Sequence, residues 1–110
     1  MGSKILILGV TYKENCPDIR NSKVADVYHE LEEFGLHVDV YDYQASPKEV
    51  TNVFGITLID QIKEKYDGIL LAVSHDKFSK IDITSLKKDA KSIVYDLKGF
   101  LPRDQVDARL

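Results

Sequence analysis

The 110-residue sequence predicts a single α/β domain, a Rossmann-like, doubly wound parallel sheet with helices on both faces. Three observations predict it. Lys4-Ile-Leu-Ile-Leu-Gly9 and Gly68-Ile-Leu-Leu-Ala-Val73 are continuous apolar runs, as expected of strands buried on both faces of a parallel sheet. His37 to Asp42 alternates apolar and polar residues in the manner of a strand. Between the first run and this segment, Val24, Val27, Tyr28, Leu31 and Phe34 follow the i, i+3, i+4, i+7 spacing of an amphipathic helix, and Gly35 supplies its stop.

Taken in order, Lys4 to Gly9 opens the sheet, and a polar loop from Thr11 to Ser22 leads to the helix. Asn21 or Ser22 is the expected N-cap, because either side chain can accept a hydrogen bond from a first-turn amide. The strand after Gly35 follows one crossover and should run parallel to the first. Ser46-Pro-Lys-Glu49 reads as a capped helical turn with proline at the first helical position, continuing to Phe54-Gly55. Ile56 to Leu58 reads as a short edge strand, Asp60 to Lys65 as a short helix, and Gly68 to Val73 as a central strand. Leu86 to Lys88 belongs to a short helix, Ser92 to Tyr95 to another strand, and Arg103 to Leu110 to a terminal helical turn. Met1 to Ser3 reads as a cloning scar, leaving residues 4–110 as the domain.

Composition narrows the function. Hydrophobic residues at 44% and charged residues at 30% suit a packed globular core and exclude fibrous and disordered classes. A net charge of -3 supplies no general basic field, so no nucleic-acid partner is expected and any anion site must be local. The longest apolar run is too short for a membrane span, and no secretory signal is visible, which makes the cytoplasm the expected location. The lone Cys16 cannot form an internal disulfide. It reads as structural, with a reactive thiol as the alternative.

In a doubly wound sheet, ligands sit beyond the carboxyl ends of the strands. That rule selects the loop after Gly9, Tyr41-Asp42, Ser74-His75-Asp76 and Asp96-Leu-Lys-Gly99. The first loop lacks a G-x-G-x-x-G fingerprint, so the domain is not expected to hold a dinucleotide alone. Lys13 and Arg20 instead flank a turn leading to a helix N-terminus, a combination suited to phosphate or carboxylate. Lys98 would add a third cation from the last strand. The alternative is that Lys13 and Arg20 are solvated or paired with Glu14 and Asp18. Asp18 reads as a loop-ordering residue and Asp42 as structural. His75 is either a polar edge residue or an acid/base oriented by Asp76. His29 and His37 show no metal-ligand spacing and no carboxylate pattern that singles them out, and no metal site is expected. A phospho-receiver is disfavoured because the central strand ends in Val73-Ser74 and not in an acceptor aspartate.

The string from Leu8 to Val24, with its Leu-Gly, Tyr12-Lys13 and Asp18-x-Arg20-x-Ser22 elements, resembles the start of the C-terminal domain of the UDP-glucose/GDP-mannose dehydrogenase family. Val40-Tyr-Asp42, Tyr66 to Val73 and Tyr95 to Pro102 are similar to its later segments, in the same order. Glu14 to Asn21 looks most like members acting on UDP-N-acetylhexosamines. The resemblance implies a nucleotide-sugar-binding domain of an enzyme that oxidises the sugar C6 alcohol to a carboxylate in two NAD-dependent steps, through a thiohemiacetal on a cysteine. It implies that Tyr12, Lys13 and Lys98 contact the UDP-sugar and that Arg20 reaches NAD; many relatives carry arginine near the Lys98 position. The NAD-binding and central helical domains and the catalytic cysteine would lie N-terminal to this region, the fragment alone would be inactive, and the full-length protein would be a homo-oligomer in surface or capsular polysaccharide precursor synthesis. The alternative is a stand-alone nucleotide-, anion- or partner-binding module without catalysis.

Overall fold

The computed structural model describes residues 3–11, 23–62, 64–73, 75, 76, 78, 81, 83–88, 92–96 and 108–109. Five parallel strands form one sheet in the order β2-β1-β3-β4-β5. They are β1 (Lys4–Leu8), β2 (His37–Tyr41), β3 (Gly68–Leu71), β4 (Ile93–Asp96) and β5 (Ala108–Arg109). The helices are α1 (Val24–Glu33), α2 (Pro47–Phe54) and α3 (Ile83–Leu86). β2 lies to one side of β1 and β3 to the other, so the chain reverses its winding between β1 and β3. That reversal creates a crevice at the carboxyl ends of these strands.

Alternation along the strands divides the core in two. Ile5, Ile7, Val38 and Val40 pack on one face with Ala25, Tyr28 and Leu31 of α1 and Val50 of α2. Leu6, Leu8, Ile69, Leu71 and Val94 pack on the other with Tyr66, Phe78 and Ile83 of α3. Each fully buried aliphatic side chain contributes about 1.5–3 kcal/mol, against about 1 kcal/mol for an ordinary hydrogen bond. The two-faced burial of β1 therefore dominates the assembly.

The helix ends follow local chemistry where that chemistry is strong. Ser46 Oγ accepts from the Glu49 amide at 3.3 Å, Pro47 begins α2, and Gly55 closes it at φ +72°. At the end of α1, Gly35 N–H donates to the Glu32 carbonyl at 3.0 Å and Leu36 N–H to that of Leu31 at 3.3 Å. With Gly35 at φ +84° this is a Schellman closure, with Leu31 and Leu36 packing on the same cluster. The N-terminus of α1 differs from expectation. Its N-cap is Lys23, without a side-chain cap, and Asn21 and Ser22 lie outside the described residues. Phe34 is also not a core residue. It is 80% exposed, because the helix ends at Glu33 and the unwinding chain turns Phe34 off the apolar stripe, which Ala25 completes instead.

Four other expectations are corrected. Ile56 to Leu58 forms no strand; the chain here wraps the β2 edge, with Ile56 and Leu58 on one core cluster, Ile59 on the other, and Ile59 N–H bonded to the Val40 carbonyl at 2.9 Å. No described residue from Asp60 to Lys65 is helical. Ile62 packs on the second core cluster, and Tyr66 N–H just beyond bonds to the Leu86 carbonyl at 2.7 Å, so tertiary contacts and not helical hydrogen bonds hold this approach to β3. In the last segment Ala108–Arg109 is a strand, registered with Tyr95 and Asp96, so β5 covers what would otherwise be an open β4 edge. The predicted helix around Leu86 occupies Ile83–Leu86, and Lys87 forms a bridge to Tyr66 instead.

Gly9 joins the sheet to the loop above it at φ +98°, and a Cβ there would sit 2.6 Å from Val73 Cβ and 2.9 Å from the Val73 nitrogen. Gly35 shares the positive φ, but a Cβ there would meet nothing within 4 Å. Gly9→Ala is expected to destabilise the domain by about 2–4 kcal/mol and Gly35→Ala by about 1 kcal/mol, because only the first adds a backbone clash to the conformational cost. Urea unfolding of the two variants checks this; equal losses would show that the Gly9–Val73 approach is not a constraint.

Candidate functional site at the carboxyl edge of the sheet

Strand register sets four chain segments at one level. Leu8 pairs with both Tyr41 and Leu71, and Leu71 pairs with Asp96, so β1 to β4 all end together. The segments predicted to converge therefore do leave the sheet side by side. Three contribute to a buried network of Thr11, Asp42 and His75, whose side chains come from beyond β1, β2 and β3.

Asp42 is its centre. Oδ2 accepts from Val10 N–H at 2.7 Å, Thr11 N–H at 3.3 Å and His75 Nε2 at 3.0 Å. Oδ1 accepts from the Gln44 and Ala45 amides at 2.7 and 3.1 Å, an Asx-type turn that delivers the chain to the Ser46 cap. Burial by itself would raise the Asp42 pKa. The His75 hydrogen bond, the Val10 amide and the nearby imidazole charge outweigh it, and the carboxyl is held below its ordinary value.

His75 stands at this edge as expected but is fully buried, and its expected partner is corrected. The carboxylate at its ring is Asp42 across the sheet, whereas the sequence neighbour Asp76 is exposed. An ionised carboxylate offers only lone pairs, so Nε2 carries the hydrogen; Thr11 Oγ1, also at 3.0 Å from Nε2, shares it. Tyr43 and Phe78 wall the imidazole, with ring centroids at 5.4 and 5.3 Å. Sequence reasoning missed Thr11 and these two aromatics. The available signal was positional, since polar residues directly after parallel strands are brought together by register.

An open cleft of about 540 Å³ lies on the outer side of Asp42, lined by Tyr41, Tyr43, Ala45, Pro47, Leu58, Ile59 and Asp60. At the opposite edge of the sheet, His37 Nε2 lies 3.2 Å from Asp39 Oδ1, and Glu64 brings a third ligand-type atom within 4.8 Å of both. His37 thus does have carboxylate neighbours, contrary to expectation, because residues two apart on a strand share a face. Lys4 pairs with Glu64, and Tyr66 donates to Asp39 Oδ2 at 2.6 Å. These contacts make the cluster an ion-pair and hydrogen-bond network.

The Val10 and Thr11 amides, which begin the loop where a dinucleotide fold would present bare N–H groups to a pyrophosphate, are both taken by Asp42. These two amides are therefore already bonded within the protein and do not face a ligand. Tyr12, Lys13, Cys16, Asp18 and Arg20, and Lys98, lie outside the described residues. Their loops begin at Thr11, three residues beyond β1, and directly after Asp96, at the end of β4, on the same edge. Among the described residues no helix is long and apolar enough to cross a membrane.

A parallel sheet in this order, with polar residues converging at the switch between β1 and β3, defines an α/β ligand-binding domain of the doubly wound class. Residues 6–103 match the UDP binding domain of the UDP-glucose/GDP-mannose dehydrogenase family, and the chain belongs to that family. It is 41% identical to a UDP-N-acetyl-D-glucosamine 6-dehydrogenase of Pseudomonas aeruginosa and 44% identical to one of Salmonella typhi, each over 99% of this chain and 26% of the relative. Protein CapL of Staphylococcus aureus is 42% identical over 96% of this chain. The chain thus spans about a quarter of the length of these relatives. Among solved structures, a UDP-glucose dehydrogenase from Pyrobaculum islandicum superposes with a TM-score of 0.77 at 21% identity, over 98% of this chain and 24% of the other. A UDP-N-acetyl-mannosamine dehydrogenase, Cap5O from Staphylococcus aureus, gives 0.74 at 20% identity, over 99% of this chain and 26% of the other. At these identities the superpositions establish the fold.

Replacing Asp42 by Asn leaves the geometry but removes the charge that five donors address, and is expected to destabilise the domain by about 3 kcal/mol at neutral pH. Because the folded carboxyl titrates below the 3.8 of an ordinary aspartate, the unfolded chain takes up this proton first as pH falls. The stabilisation is complete above the ordinary carboxylate range and is lost as pH drops through 3.8 and then through the lower folded value. Denaturant titrations of wild type and Asp42→Asn across this range should converge on acidification; a gap independent of pH would refute the ionised network.

Proposed function

We propose that this chain is the UDP-sugar-contacting domain of an NAD-dependent UDP-N-acetylhexosamine 6-dehydrogenase, acting in the cytoplasm in polysaccharide precursor synthesis. The observation that carries the reading is the identity of 41% and 44% to two UDP-N-acetyl-D-glucosamine 6-dehydrogenases along 99% of the chain. The family match over residues 6–103 supports it independently. In this reading residues 4–110 form one domain of a longer, homo-oligomeric enzyme, with NAD held mainly by the N-terminal part and the C6 alcohol oxidised to a carboxylate there.

Tyr12, Lys13 and Lys98 are assigned to the nucleotide-sugar and Arg20 to NAD across the domain interface. Two considerations support this assignment. Their loops begin on the edge where the fold class binds ligands, and Lys13 and Lys98 bring positive charge to a diphosphate from a chain whose net charge is -3. When bound, NAD supplies the hydride acceptor. The residues of this chain bind and orient the sugar nucleotide.

Calorimetry with UDP tests the site. Wild type is expected to bind, and Lys13→Ala to bind about tenfold more weakly, the loss of roughly 1.4 kcal/mol expected for one charge-assisted contact. Unchanged affinity would remove Lys13 from the site. Incubated with NAD and UDP-N-acetylglucosamine, the 110 residues are expected to form no NADH; turnover would overturn the assignment of catalysis to another part of the enzyme.

A further inference from the structure

We infer that Thr11, Asp42 and His75 are positioning residues for nucleotide-sugar binding: their network sets the path by which the chain leaves β1 and thereby places the loop carrying Tyr12, Lys13 and Arg20. The inference rests on the functional reading above and deepens it, by assigning a role to three side chains that solvent scarcely reaches.

The network is concentrated on the residue at which the loop begins. Asp42 Oδ2 accepts from two consecutive amides, those of Val10 and Thr11, which fixes the direction of the backbone there. Thr11 is held a second time, through Oγ1 to His75 Nε2 at 3.0 Å. The exits of β1 and β3 are also pressed together, since the Gly9 position leaves no room for a Cβ against Val73. His75 stands two residues beyond Val73, so the anchor of the loop and the strand exit that braces it form one unit. The Thr11 hydroxyl is the member of the network that can be removed while Asp42 and its four amide donors remain. That hydroxyl separates loop positioning from core stability, because recognition by a preset loop is far more sensitive to a small displacement than folding is.

Thr11→Val removes the hydroxyl at nearly constant volume, and Thr11→Ser restores it. UDP titration of the 110-residue chain is followed by backbone amide NMR signals, with amide hydrogen exchange measured without ligand. Thr11→Val is expected to weaken UDP about tenfold and to speed exchange at Val10, Thr11 and residues 12–22 by about tenfold or more, while Ile7 and Leu70 stay within about twofold of wild type. Thr11→Ser should recover both. Should the valine variant fail to fold, Thr11→Ala gives the same two readouts. A hydroxyl-free variant with affinity and loop exchange both within about twofold of wild type overturns the inference. If wild type binds no UDP, the functional reading fails, and loop exchange decides the positioning role: unchanged exchange sinks it and selective acceleration upholds it.

Discussion

The carboxylate of Asp42 is the constraint on which the working edge of this domain depends. A buried charge costs several kcal/mol unless its lone pairs are met. Here five donors meet them, four backbone amides and one imidazole. Hydrogen bonds to a charged group contribute roughly 1.5–3 kcal/mol each, enough to offset burial and still hold the acid ionised. Each donor also fixes a piece of chain. Two amides set the exit from β1, two shape the turn into α2, and the imidazole locks the segment beyond β3. No apolar side chain could impose all three conditions, because packing lacks direction.

What the sequence made legible is what local chemistry decides. The apolar runs of β1 and β3 are continuous because both faces are buried, and Ser46-Pro47 with Gly55 states both ends of α2 within ten residues. The misreadings arose where distant chain decides. Ile56 to Leu58 has strand composition, yet Ile56 and Leu58 turn to one core cluster and the next residue, Ile59, to the other as the chain rounds the β2 edge. Asp60 to Lys65 reads as a short helix, yet Ile62 and Tyr66 are drawn to the second core cluster and none of the described residues between is helical. β5 exists because β4 needs a partner, a requirement invisible within residues 103–110 themselves.

The candidate site divides along the same line. Its cations could be proposed from a local string, and its place on the sheet followed from the fold class. The Asp42–His75 pair could not, because the residues are 33 apart and the obvious partner, Asp76, stood next to the histidine. Neighbours on an irregular segment leave it in different directions. Residues just beyond paired strands, by contrast, are joined by register, and Leu8 against Tyr41 and Leu71 is the link that makes Asp42 and His75 partners.

This arrangement also bears on the form of recognition proposed for the domain. A dinucleotide fold meets its pyrophosphate with bare amides at the first turn, which requires glycines for close approach. In this chain the one glycine at that turn serves the contact with Val73, and the next two amides are bonded internally. In the proposed reading, charge recognition at this edge falls to side chains, and side chains recognise well only when the backbone bearing them is fixed. A loop with cationic side chains and a buried carboxylate at its root are therefore complementary parts of one solution. In the proposed reading the carboxylate satisfies two amides that an anion would otherwise meet, and by doing so fixes the exit from β1 at which the cationic loop begins.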